Sequence, residues 1–437
     1  MPTPNPLHSG LGRAGTAATV LTAWRQHGPE AARRALDDQL QRQGAATDRL
    51  LQELDLRLQQ RPGPRLLLDG VWFSRPYGGI TRVWEQILRT WQLPGLINPA
   101  APVCLIERNS HLALCDPFPF VEAPDVNPLD PDAVAASADH NGALVRQWQA
   151  DVFLSSWTST SGQEAPACAE LTLVHDCLPE RFDAPERLRR VRRRWLLGAR
   201  GHLAVSADTA ADLEAALQVP TGRIAWCHSA PAEQFRPPSG RSARQRWARL
   251  VQELNLREPF VLLPATSAIG SYKNPELVAQ ALAYPGLEPL QLLLCGLAAE
   301  QRRQELEQRY PQLQGRTLAV GLPDADLALA YAHALAVVIP SHGEGFGLPA
   351  IEAMACGAAV LVADSRGLRE AGGQAALRFG SRNPGQLAEL LQLLLHAPTM
   401  AWLRPQLQRR LNQRLATLHS DLIGLALLAM ARAVHRG

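Results

Sequence analysis

The chain has 437 residues, of which 46% are hydrophobic and 19% are charged, and its formal net charge at pH 7 is +3. The apolar content is sufficient for folding, and the length favours two domains over a single core. So small a net charge does not indicate a nucleic-acid partner. These values exclude a disordered chain and predict a soluble globular protein.

The seven cysteines are scattered and none has C-x-x-C spacing, which excludes a disulfide framework and a zinc knuckle. They are predicted to be small buried side chains in a reducing cytoplasm. The apolar runs at 16–24 and 422–433 are shorter than the ~20 residues that span a bilayer. No charged segment leads into a cleavable signal, although the lack of acidic residues before Glu30 leaves a transit peptide as a minor alternative.

Residues 1–62 are polar, rich in Gln, Arg and Ala, and predicted to form a helical extension that ends at "RPGP" (61–64). One helical face of this segment carries four leucines, namely Leu50, Leu51, Leu54 and Leu58. The segment also contains "GLGRAG", whose Gly10, Gly12 and Gly15 satisfy the dinucleotide-binding pattern G-x-G-x-x-G. Because no strand precedes these glycines, we interpret the match as chance.

From Arg65 onward, short apolar runs alternate with helical segments. The runs are "RLLLD", "VCLI", "DVFLSS", "LTLVHD", "HLAVS", "PFVLLP", "LQLLLC", "RTLAV", "AVVIPS" and "AVLVAD". Uninterrupted apolar runs of this length are typical of parallel strands buried on both faces. The sequence therefore predicts two doubly wound α/β domains at 63–240 and 241–400, joined by a linker near 236–257. Helices at 401–437 are expected to follow, with packing against the N-terminal domain as one option.

Ligands of such domains bind beyond the carboxyl ends of the strands, so the residues after each run are the candidates for function. In "LLLDGVWFSRPYGGITRVWEQIL", a strand ends at Asp69 and the pair Gly78 and Gly79 begins a helix. Paired glycines permit close approach of a ligand, and a helix start favours an anion. The alternative is an ordinary turn between a loop and a helix. Taken alone, the paired glycines favour this alternative. The apolar stripe of the helix is Ile80, Val83, Trp84, Ile87 and Leu88.

A second candidate is "LTLVHDCLPERF", in which His175 and Asp176 directly follow a buried strand. An imidazole at this position can form a hydrogen bond with a hydroxyl or with a charged transition state. The alternative is a histidine that only caps the strand end. A polar pair that closes an apolar run favours the functional interpretation.

The third candidate is "AVVIPSHGEGFGLPAIEAMACGAAVLVAD". Pro349 suits the first turn of a helix, which places Glu352 one turn inside it and Glu344 in the preceding loop. The backbone amides from Gly345 to Leu348 are donors for hydroxyls or phosphate, and each carboxylate can accept hydrogen bonds from a sugar diol. The alternative, a dipole-stabilising Glu352 and a solvated Glu344, does not account for the order of these residues.

Lys273, in "IGSYKNPEL", is the only lysine among 44 basic residues. It follows the predicted strand "PFVLLP", and Asn274 and Pro275 suit the cap and the first turn of the next helix. A lysine at the start of a helix is well placed to bind an anion. The alternative is that a single lysine occurs here by chance in an arginine-biased chain.

Two further patterns favour structural interpretations. Asp324 and Asp326 form a D-x-D sequence, a metal-binding pattern, but they open a helix, where acidic residues stabilise the helix dipole. The segment "ERLRRVRRRW" (186–195) has six arginines and an apolar stripe. Contact with anionic lipid is one option, and an apolar stripe packed on the domain with solvated arginines is the favoured one.

The segment "EGFGLPAIE" resembles the E-x7-E signature of retaining glycosyltransferases of family 4, also called glycosyl transferases group 1. The adjoining "EAMACGAAVLVADSRGLREAGGQAAL" and the lysine-bearing loop continue the resemblance, which extends over about residues 65–400. It implies an α/β GT-B fold, with two facing Rossmann-like doubly wound domains. It also implies a nucleotide-sugar donor on the C-terminal domain and an acceptor on the N-terminal domain.

The resemblance further implies the roles of individual residues. Glu344 is expected to contact the transferred sugar, Glu352 the ribose, and Lys273 the diphosphate leaving group. His175 resembles the family histidine beside the donor sugar. The binding residues implied around the sugar and the phosphates are Gly78, Gly79, Phe346, Gly347 and Leu348, with Asp176 and Asn274 as further candidates. No metal and no other cofactor is expected.

The sequence departs from the family pattern in the residues before Lys273. Family members usually place an arginine a few residues before, or directly before, that lysine, whereas residues 267–272 contain no second cation. Either another arginine supplies the charge, with Arg82 as a candidate, or the phosphates are bound more weakly.

The resemblance predicts a metal-independent, retaining glycosyltransferase. It is expected to transfer a hexose from a GDP-mannose or UDP-hexose type donor to a hydroxyl of a glycan or glycolipid. The expected role is surface polysaccharide synthesis. The predicted location is the cytoplasm, or the periphery of the inner face of the membrane. The alternatives are a GT-B nucleotide-sugar epimerase and a catalytically silent glycosyltransferase-like binding protein.

Overall fold

The computed structural model describes residues 14–43, 48–75, 78–264 and 268–436. The chain forms two compact units. Unit 1 comprises Met1–Ser229 and His419–Gly437, and unit 2 comprises Ala230–Leu418. The sequence prediction placed the corresponding divisions at 240/241 and 400/401.

Unit 1 is built on a seven-stranded parallel sheet with the order β3-β2-β1-β4-β5-β6-β7. Its strands are β1 (Leu66–Asp69), β2 (Val103–Glu107), β3 (Phe120–Glu122), β4 (Val152–Ser155), β5 (Ala169–Val174), β6 (Gly201–Ala204) and β7 (Ile224–Trp226). The strands β1, β4, β5 and β6 are buried along their whole length, as expected for a sheet covered by helices on both faces. The order reverses between β1 and β4.

The helices of this part of unit 1 run in chain order from α1 to α9. They are α1 (Ala14–His27), α2 (Pro29–Gln43), α3 (Arg49–Leu58), α4 (Gly79–Trp91), α5 (Pro131–Ala136), α6 (Ala138–Trp148), α7 (Leu178–Arg181), α8 (Glu186–Gly198) and α9 (Ala207–Leu217). Gly78 precedes α4, as predicted, and the stripe of α4 is buried at Val83, Trp84, Ile87 and Leu88. Gly10 and Gly12 lie outside the described residues, whereas Gly15 lies within α1.

Unit 2 is built on a six-stranded parallel sheet with the order β10-β9-β8-β11-β12-β13. Its strands are β8 (Phe260–Pro264), β9 (Gln291–Cys295), β10 (Thr317–Val320), β11 (Ala336–Ile339), β12 (Val360–Ala363) and β13 (Leu377–Phe379). The order reverses between β8 and β11. The two sheets confirm the prediction of two Rossmann-like parallel-sheet domains.

The helices of unit 2 are α10 (Gly240–Leu254), α11 (Pro275–Ala281), α12 (Ala299–Arg309), α13 (Asp324–His333), α14 (Leu348–Ala355), α15 (Arg366–Gly372), α16 (Pro384–Leu395) and α17 (Ala397–Leu415). The linker predicted near 236–257 was wrong, because α10 occupies most of that segment. Trp247 and Leu250 bury one face of this helix. The indole ring of Trp247 stacks on His333 of α13 with a centroid distance of 4.3 Å.

The last helix of the chain, α18 (Leu422–Arg436), lies in unit 1 and packs against α3, α4, β5 and β6. A buried charge network joins α3 to α18: Arg57 Nε donates to Glu53 Oε1 over 2.7 Å, and Arg432 Nε donates to Glu53 Oε2 over 2.5 Å. Asp421, just before α18, accepts hydrogen bonds from Arg25 of α1 and from Thr90 of α4. The N-terminal helices are therefore held in unit 1 by contacts with the other end of the chain.

All ten apolar runs predicted as strands form strands. The strands β3, β7 and β13 were not predicted; they lie at sheet edges and have three residues each. Edge strands are short and have solvent on one side, so they lack the continuous apolar run by which the other strands were identified.

Candidate active site

The reversal of strand order in unit 2 lies between β8 and β11, and Lys273 and Glu344 follow these two strands. At such a switch point the connections leave in opposite directions, which opens a crevice at the carboxyl ends of the strands. Lys273 Nζ donates to Glu344 Oε1 over 2.7 Å, and the two side chains are 22% and 12% exposed. The structure thus brings together the predicted cation and one of the two predicted acids.

The ring of Tyr272 lies beside the Lys273 ammonium, with 5.3 Å between Nζ and the ring centroid. Tyr272 directly precedes Lys273 in the sequence. A tyrosine ring attracts a cation through its negative face but adds no charge of its own. The Tyr272 carbonyl also accepts a hydrogen bond from His342 N over 2.7 Å, which joins this loop to the segment after β11.

The Asn274 side chain does not cap α11, so this part of the prediction was wrong. Asn274 has left-handed backbone angles, and its Nδ2 donates to the carbonyl oxygens of Pro340 and Ser381 over 3.2 and 2.8 Å. A capping side chain must accept hydrogen bonds from helix amides, whereas this buried amide acts as a donor. Asn274 therefore holds the lysine loop against the segments that follow β11 and β13. Pro275 is the first residue of α11, as predicted.

Two glycines allow the Glu344 loop to pack closely against α15. A Cβ atom at Gly367 would collide with the carbonyl oxygen of Glu344 and would lie 3.1 Å from the carbonyl carbon. At Gly347 the φ angle is +110°, and a Cβ atom would lie 2.8 Å from Leu368 Cδ2. A side chain at either position would therefore displace the loop that carries Glu344.

Arg414 of α17 is a residue near this site that the sequence analysis missed. Its guanidinium lies 6.0 Å from the ring centroid of the buried Phe346. It also donates from Nε to the carbonyl of Ala371 over 2.9 Å and from Nη2 to that of Glu370 over 2.8 Å, at the end of α15. Burial lowers the pKa of Arg414, and the charge of Glu370 opposes this effect. The order of arginines in α17 gave no signal that distinguished Arg414 from its neighbours.

Helix α14 begins at Leu348, directly after Gly347, and no side chain caps its start. Pro349 lies in its first turn, and Glu352 lies one turn further and is 1% exposed. The helix geometry agrees with the prediction for this segment. The start of α14 therefore directly follows the loop that carries Glu344. The free backbone amides of a helix start are suited to binding an anion or hydroxyls.

In unit 1, His175 and Asp176 directly follow β5, as predicted. Burial, with a smaller effect of the Arg192 charge, lowers the pKa of His175 to about 3, so the imidazole is neutral at neutral pH. His175 Nε2 is buried and has no hydrogen-bond partner among the described residues. Asp176 Oδ1 accepts a hydrogen bond from Leu178 N over 3.0 Å, and its carbonyl accepts one from Arg192 Nη2 over 2.7 Å.

Arg192 departs from the prediction that the arginines of 186–195 are solvated. It is 1% exposed and forms two hydrogen bonds with the Glu180 carboxylate, over 2.8 and 3.0 Å. Val191 and Trp195 are buried, as predicted for the apolar stripe. The position of Arg192 on the buried face requires this pairing, because an unpaired charge there would be costly.

The other predicted residues of unit 1 lie at the start of α4. Gly78 has a φ angle of +141°, and Gly79 is the first residue of the helix. Both are exposed, and Arg82 N donates to the Gly78 carbonyl over 3.1 Å in the first helical turn. Gly78, Gly79 and Arg82 thus belong to unit 1, whereas Lys273 belongs to unit 2.

The D-x-D pair has structural partners. Asp326 is buried and accepts two hydrogen bonds from Arg246, both over 2.6 Å, and Asp324 accepts one from Gln234 over 2.7 Å. Both acids lie in the first turn of α13, as predicted. Among the residues that the structure describes, no three His, Cys, Asp or Glu side chains are grouped as a metal ion would require. Across the same residues, no helix has the length and apolar character needed to cross a membrane.

Residues 249–414 match the family described as glycosyl transferases group 1. A D-inositol 3-phosphate glycosyltransferase of Frankia alni is 46% identical over 78 residues, which cover 17% of this chain and 19% of that protein. The chain therefore matches about a fifth of the length of this curated relative.

Solved structures resemble the chain over a greater length. Sucrose-phosphate synthase from Thermosynechococcus elongatus aligns with a TM-score of 0.62 and 22% identity, over 83% of this chain and 96% of that one. Anabaena HepE in complex with UDP-glucose aligns with a TM-score of 0.60 and 18% identity, over 84% and 99% of the two chains. At these identities the likeness concerns the fold. Residues 249–414 are thus similar to the glycosyl transferases group 1 family, and the two parallel-sheet domains have the GT-B fold.

Proposed function

We propose that the chain is a metal-independent retaining glycosyltransferase that transfers a hexose from a nucleoside-diphosphate sugar, GDP-linked or UDP-linked, to a hydroxyl of a glycan or glycolipid. The observation that carries the proposal is the pairing of Lys273 with Glu344 at the switch point of the unit 2 sheet. In this proposal Lys273 is the cation that binds the diphosphate, and Glu344 is the acid that accepts hydrogen bonds from sugar hydroxyls. The similarity to a protein solved with UDP-glucose supports a donor of this class.

In the proposed mechanism Lys273 neutralises the charge that develops on the diphosphate as the glycosidic bond breaks. Preorganised charge stabilisation of this kind contributes about 3 kcal/mol per group. Glu344 orients the hexose through its hydroxyls, and the neutral imidazole of His175 forms a hydrogen bond with the transferred sugar. Glu352 and the amides of Phe346, Gly347 and Leu348 hold the ribose and the phosphates. Because Glu344 pairs with Lys273 in the free protein, donor binding must exchange this contact for one with phosphate.

The alternatives predict different products. A nucleotide-sugar epimerase would alter the sugar without an acceptor. A silent binding protein would bind the donor without turnover, and Tyr272 in the place of an arginine favours this second candidate. The test is to incubate the protein with UDP-glucose, UDP-galactose and GDP-mannose, with and without glycan acceptors or D-inositol 3-phosphate, and to identify the products. A new glycoside with release of nucleotide supports transfer; an altered nucleotide sugar, or binding alone, contradicts it.

We further propose a cytoplasmic location and a role in surface polysaccharide synthesis. The seven free thiols suit a reducing compartment. Arg187 and Arg190 of α8 lie 3.1 and 3.5 Å from the carboxylate of Asp132. This pairing weakens the attraction of α8 to an anionic membrane. Flotation with vesicles containing phosphatidylglycerol at low salt tests this contact, and salt-sensitive binding would support a peripheral location.

A further inference from the structure

The sheet of unit 1 has its own switch point, between β1 and β4, and a tryptophan follows each of these strands. Trp72 lies three residues after Asp69 of β1, and Trp157 lies two residues after Ser155 of β4. Their ring centroids are 4.8 Å apart with an interplanar angle of 44°. Because ligands of open α/β sheets bind at the switch point, the two rings occupy the position in unit 1 where a ligand is expected.

Both tryptophans are held in place by contacts with the strand ends. Trp72 N donates to Ser156 Oγ over 2.9 Å, and Trp157 N donates to Ser155 Oγ over 3.1 Å. The guanidinium of Arg192 lies 5.7 Å from the Trp157 ring centroid. A ring pair fixed before the ligand arrives loses little conformational entropy on binding.

Two polar atoms at this edge have no hydrogen-bond partner among the described residues. They are Trp72 Nε1 and His175 Nε2, and both are buried. His175 follows β5, the strand adjacent to β4. A buried donor without a partner costs about 1–3 kcal/mol, and such atoms in a native structure call for an explanation. A hydroxyl of a bound acceptor would supply the missing partner of Trp72 Nε1, whereas His175 Nε2 is assigned above to the donor sugar.

The cation beside Trp157 is already paired within the protein. Arg192 is the cation beside Trp157, but its guanidinium is engaged by both carboxylate oxygens of Glu180 and by the Asp176 carbonyl. Its charge is therefore already neutralised. The remaining features, two half-buried aromatic faces with polar edges, match a ring with apolar C–H faces and a rim of hydroxyls.

We propose that Trp72 and Trp157 form the acceptor platform of unit 1 and that they stack on a pyranose ring of a saccharide acceptor. Trp72 Nε1 donates a hydrogen bond to a hydroxyl of that sugar. The inference rests on the proposed function, because it assigns the acceptor of the same transfer. It deepens that function by naming a saccharide, and not an anionic acceptor, as the class that the site recognises.

Trp148 is a matched control within unit 1. It is half-buried, its Nε1 has no partner among the described residues, and Arg65 lies 5.7 Å from its ring centroid. It thus shares the chemistry of the proposed platform. However, it ends α6, and Arg65 immediately precedes β1, so it lies by the amino ends of the strands.

The test is binding of methyl α-D-glucopyranoside, methyl α-D-mannopyranoside and the corresponding disaccharides, measured by saturation-transfer NMR and titration with UDP or GDP present. We expect wild-type protein and Trp148→Phe to bind at least one of these sugars. Trp157→Ala and Trp72→Ala should weaken that binding about tenfold, whereas Trp72→Phe, which keeps a ring but loses the N–H, should have a smaller effect. Circular dichroism and nucleotide binding would establish that the variants fold.

Unchanged sugar binding in Trp72→Ala and Trp157→Ala would overturn the platform, as would a wild-type protein that binds nucleotide but none of the sugars. These outcomes differ from failure of the proposed function, which would appear as absence of nucleotide binding or of donor turnover.

Discussion

The Lys273 ammonium contacts the Glu344 carboxylate and the Tyr272 ring in the free protein. The first neutralises the ammonium and the second lies beside it without adding charge. Binding of phosphate by this ammonium therefore depends on how these two contacts position it.

Replacing Lys273 by Ala should reduce kcat/KM for transfer by about two to three orders of magnitude, or ~3 kcal/mol, because the diphosphate loses its only lysine. Lys273→Arg should also be impaired, since a planar guanidinium does not reproduce a compact ammonium bonded to Glu344. Initial rates and thermal melts measure the effect on activity and on folding. Arg309→Ala, at the end of α12, is the matched control, and near-wild-type transfer by either Lys273 variant would remove Lys273 from the site.

Tyr272→Leu should weaken UDP or GDP binding two- to fivefold, because a cation–π contact at a partly exposed site contributes about 0.5–1 kcal/mol. Tyr272→Phe keeps the ring and should bind like wild type. Tyr272→Arg supplies the second cation of the family pattern and should bind nucleotide more tightly, with a steeper salt dependence. Titration calorimetry at two salt concentrations measures these effects, and equal affinity of the Leu and Phe variants would show that the ring does not contribute.

At the scale of elements, the site depends on how closely α15 approaches the loop after β11. Gly367 lies in the first turn of α15, where it has no room for a side chain. From α17, Arg414 binds the carbonyls at the other end of α15 and faces Phe346. The position of the Glu344 loop is thus fixed by two helices that supply no predicted ligand contact.

Gly367→Ala should lower transfer activity strongly while the fold persists, because the new methyl group must displace the Glu344 carbonyl. We expect a loss of about 1–3 kcal/mol in unfolding free energy, typical of overpacking. Urea unfolding and transfer rates measure both effects. Gly321→Ala is a suitable control, since a Cβ atom there meets no heavy atom within 4 Å. Equal behaviour of the two variants would show that the close approach is unimportant.

The sequence predicted the elements where one physical signal dominated. Continuous apolar runs identified the buried strands. Residues typical of helix starts identified the start of α14 at "GFGLP" and the helix after the paired glycines. No such signal marked the roles of Asn274, Arg192 and Arg414. These roles depend on which distant carbonyl or carboxylate the fold places beside each side chain. A linear pattern specifies the donor but not its partner, so these contacts required the structure.

At the scale of the whole molecule, unit 1 contains buried histidines that must remain neutral. His202 of β6 is 1% exposed, and its Nδ1 lies 2.8 Å from Thr172 Oγ1 of β5. Burial, with a smaller effect of the Arg223 charge, lowers the pKa of His202 to about 4. The unfolded chain then binds more protons than the folded chain between about pH 6.5 and pH 4, so stability should fall as the pH falls through this window.

His202→Asn should make the pH dependence of stability shallower, by up to about 1.4 kcal/mol per pH unit in that window. The variant keeps a side-chain polar atom near Thr172 but no longer gains a proton on unfolding. Urea unfolding between about pH 7 and pH 5 measures the slope. His140→Asn, an exposed substitution on α6, serves as control. An unchanged slope in His202→Asn would contradict a neutral buried imidazole.

The nucleotide and the sugar of the donor are proposed to contact different residues, so they should have different effects on hydrogen exchange. A ligand that binds only the folded state slows exchange of the amides that it holds. UDP or GDP alone should therefore protect the loops after β8 and β11 and the first turn of α14, all in unit 2. The intact nucleotide sugar should protect the same segments and, in addition, residues 175–178 of unit 1, because His175 is proposed to meet the transferred sugar. Hydrogen exchange with mass spectrometry measures both patterns.

Lys273→Ala should abolish the protection of unit 2 by the bare nucleotide, and His175→Ala should remove only the additional protection that the sugar confers. The two variants thereby separate phosphate binding from sugar binding without measuring catalysis. Protection of 175–178 by the bare nucleotide would place the phosphates, and not the hexose, beside His175. Because Lys273 and His175 belong to different units, that result would reassign the donor between the two sheets and would reverse the roles proposed for their switch points.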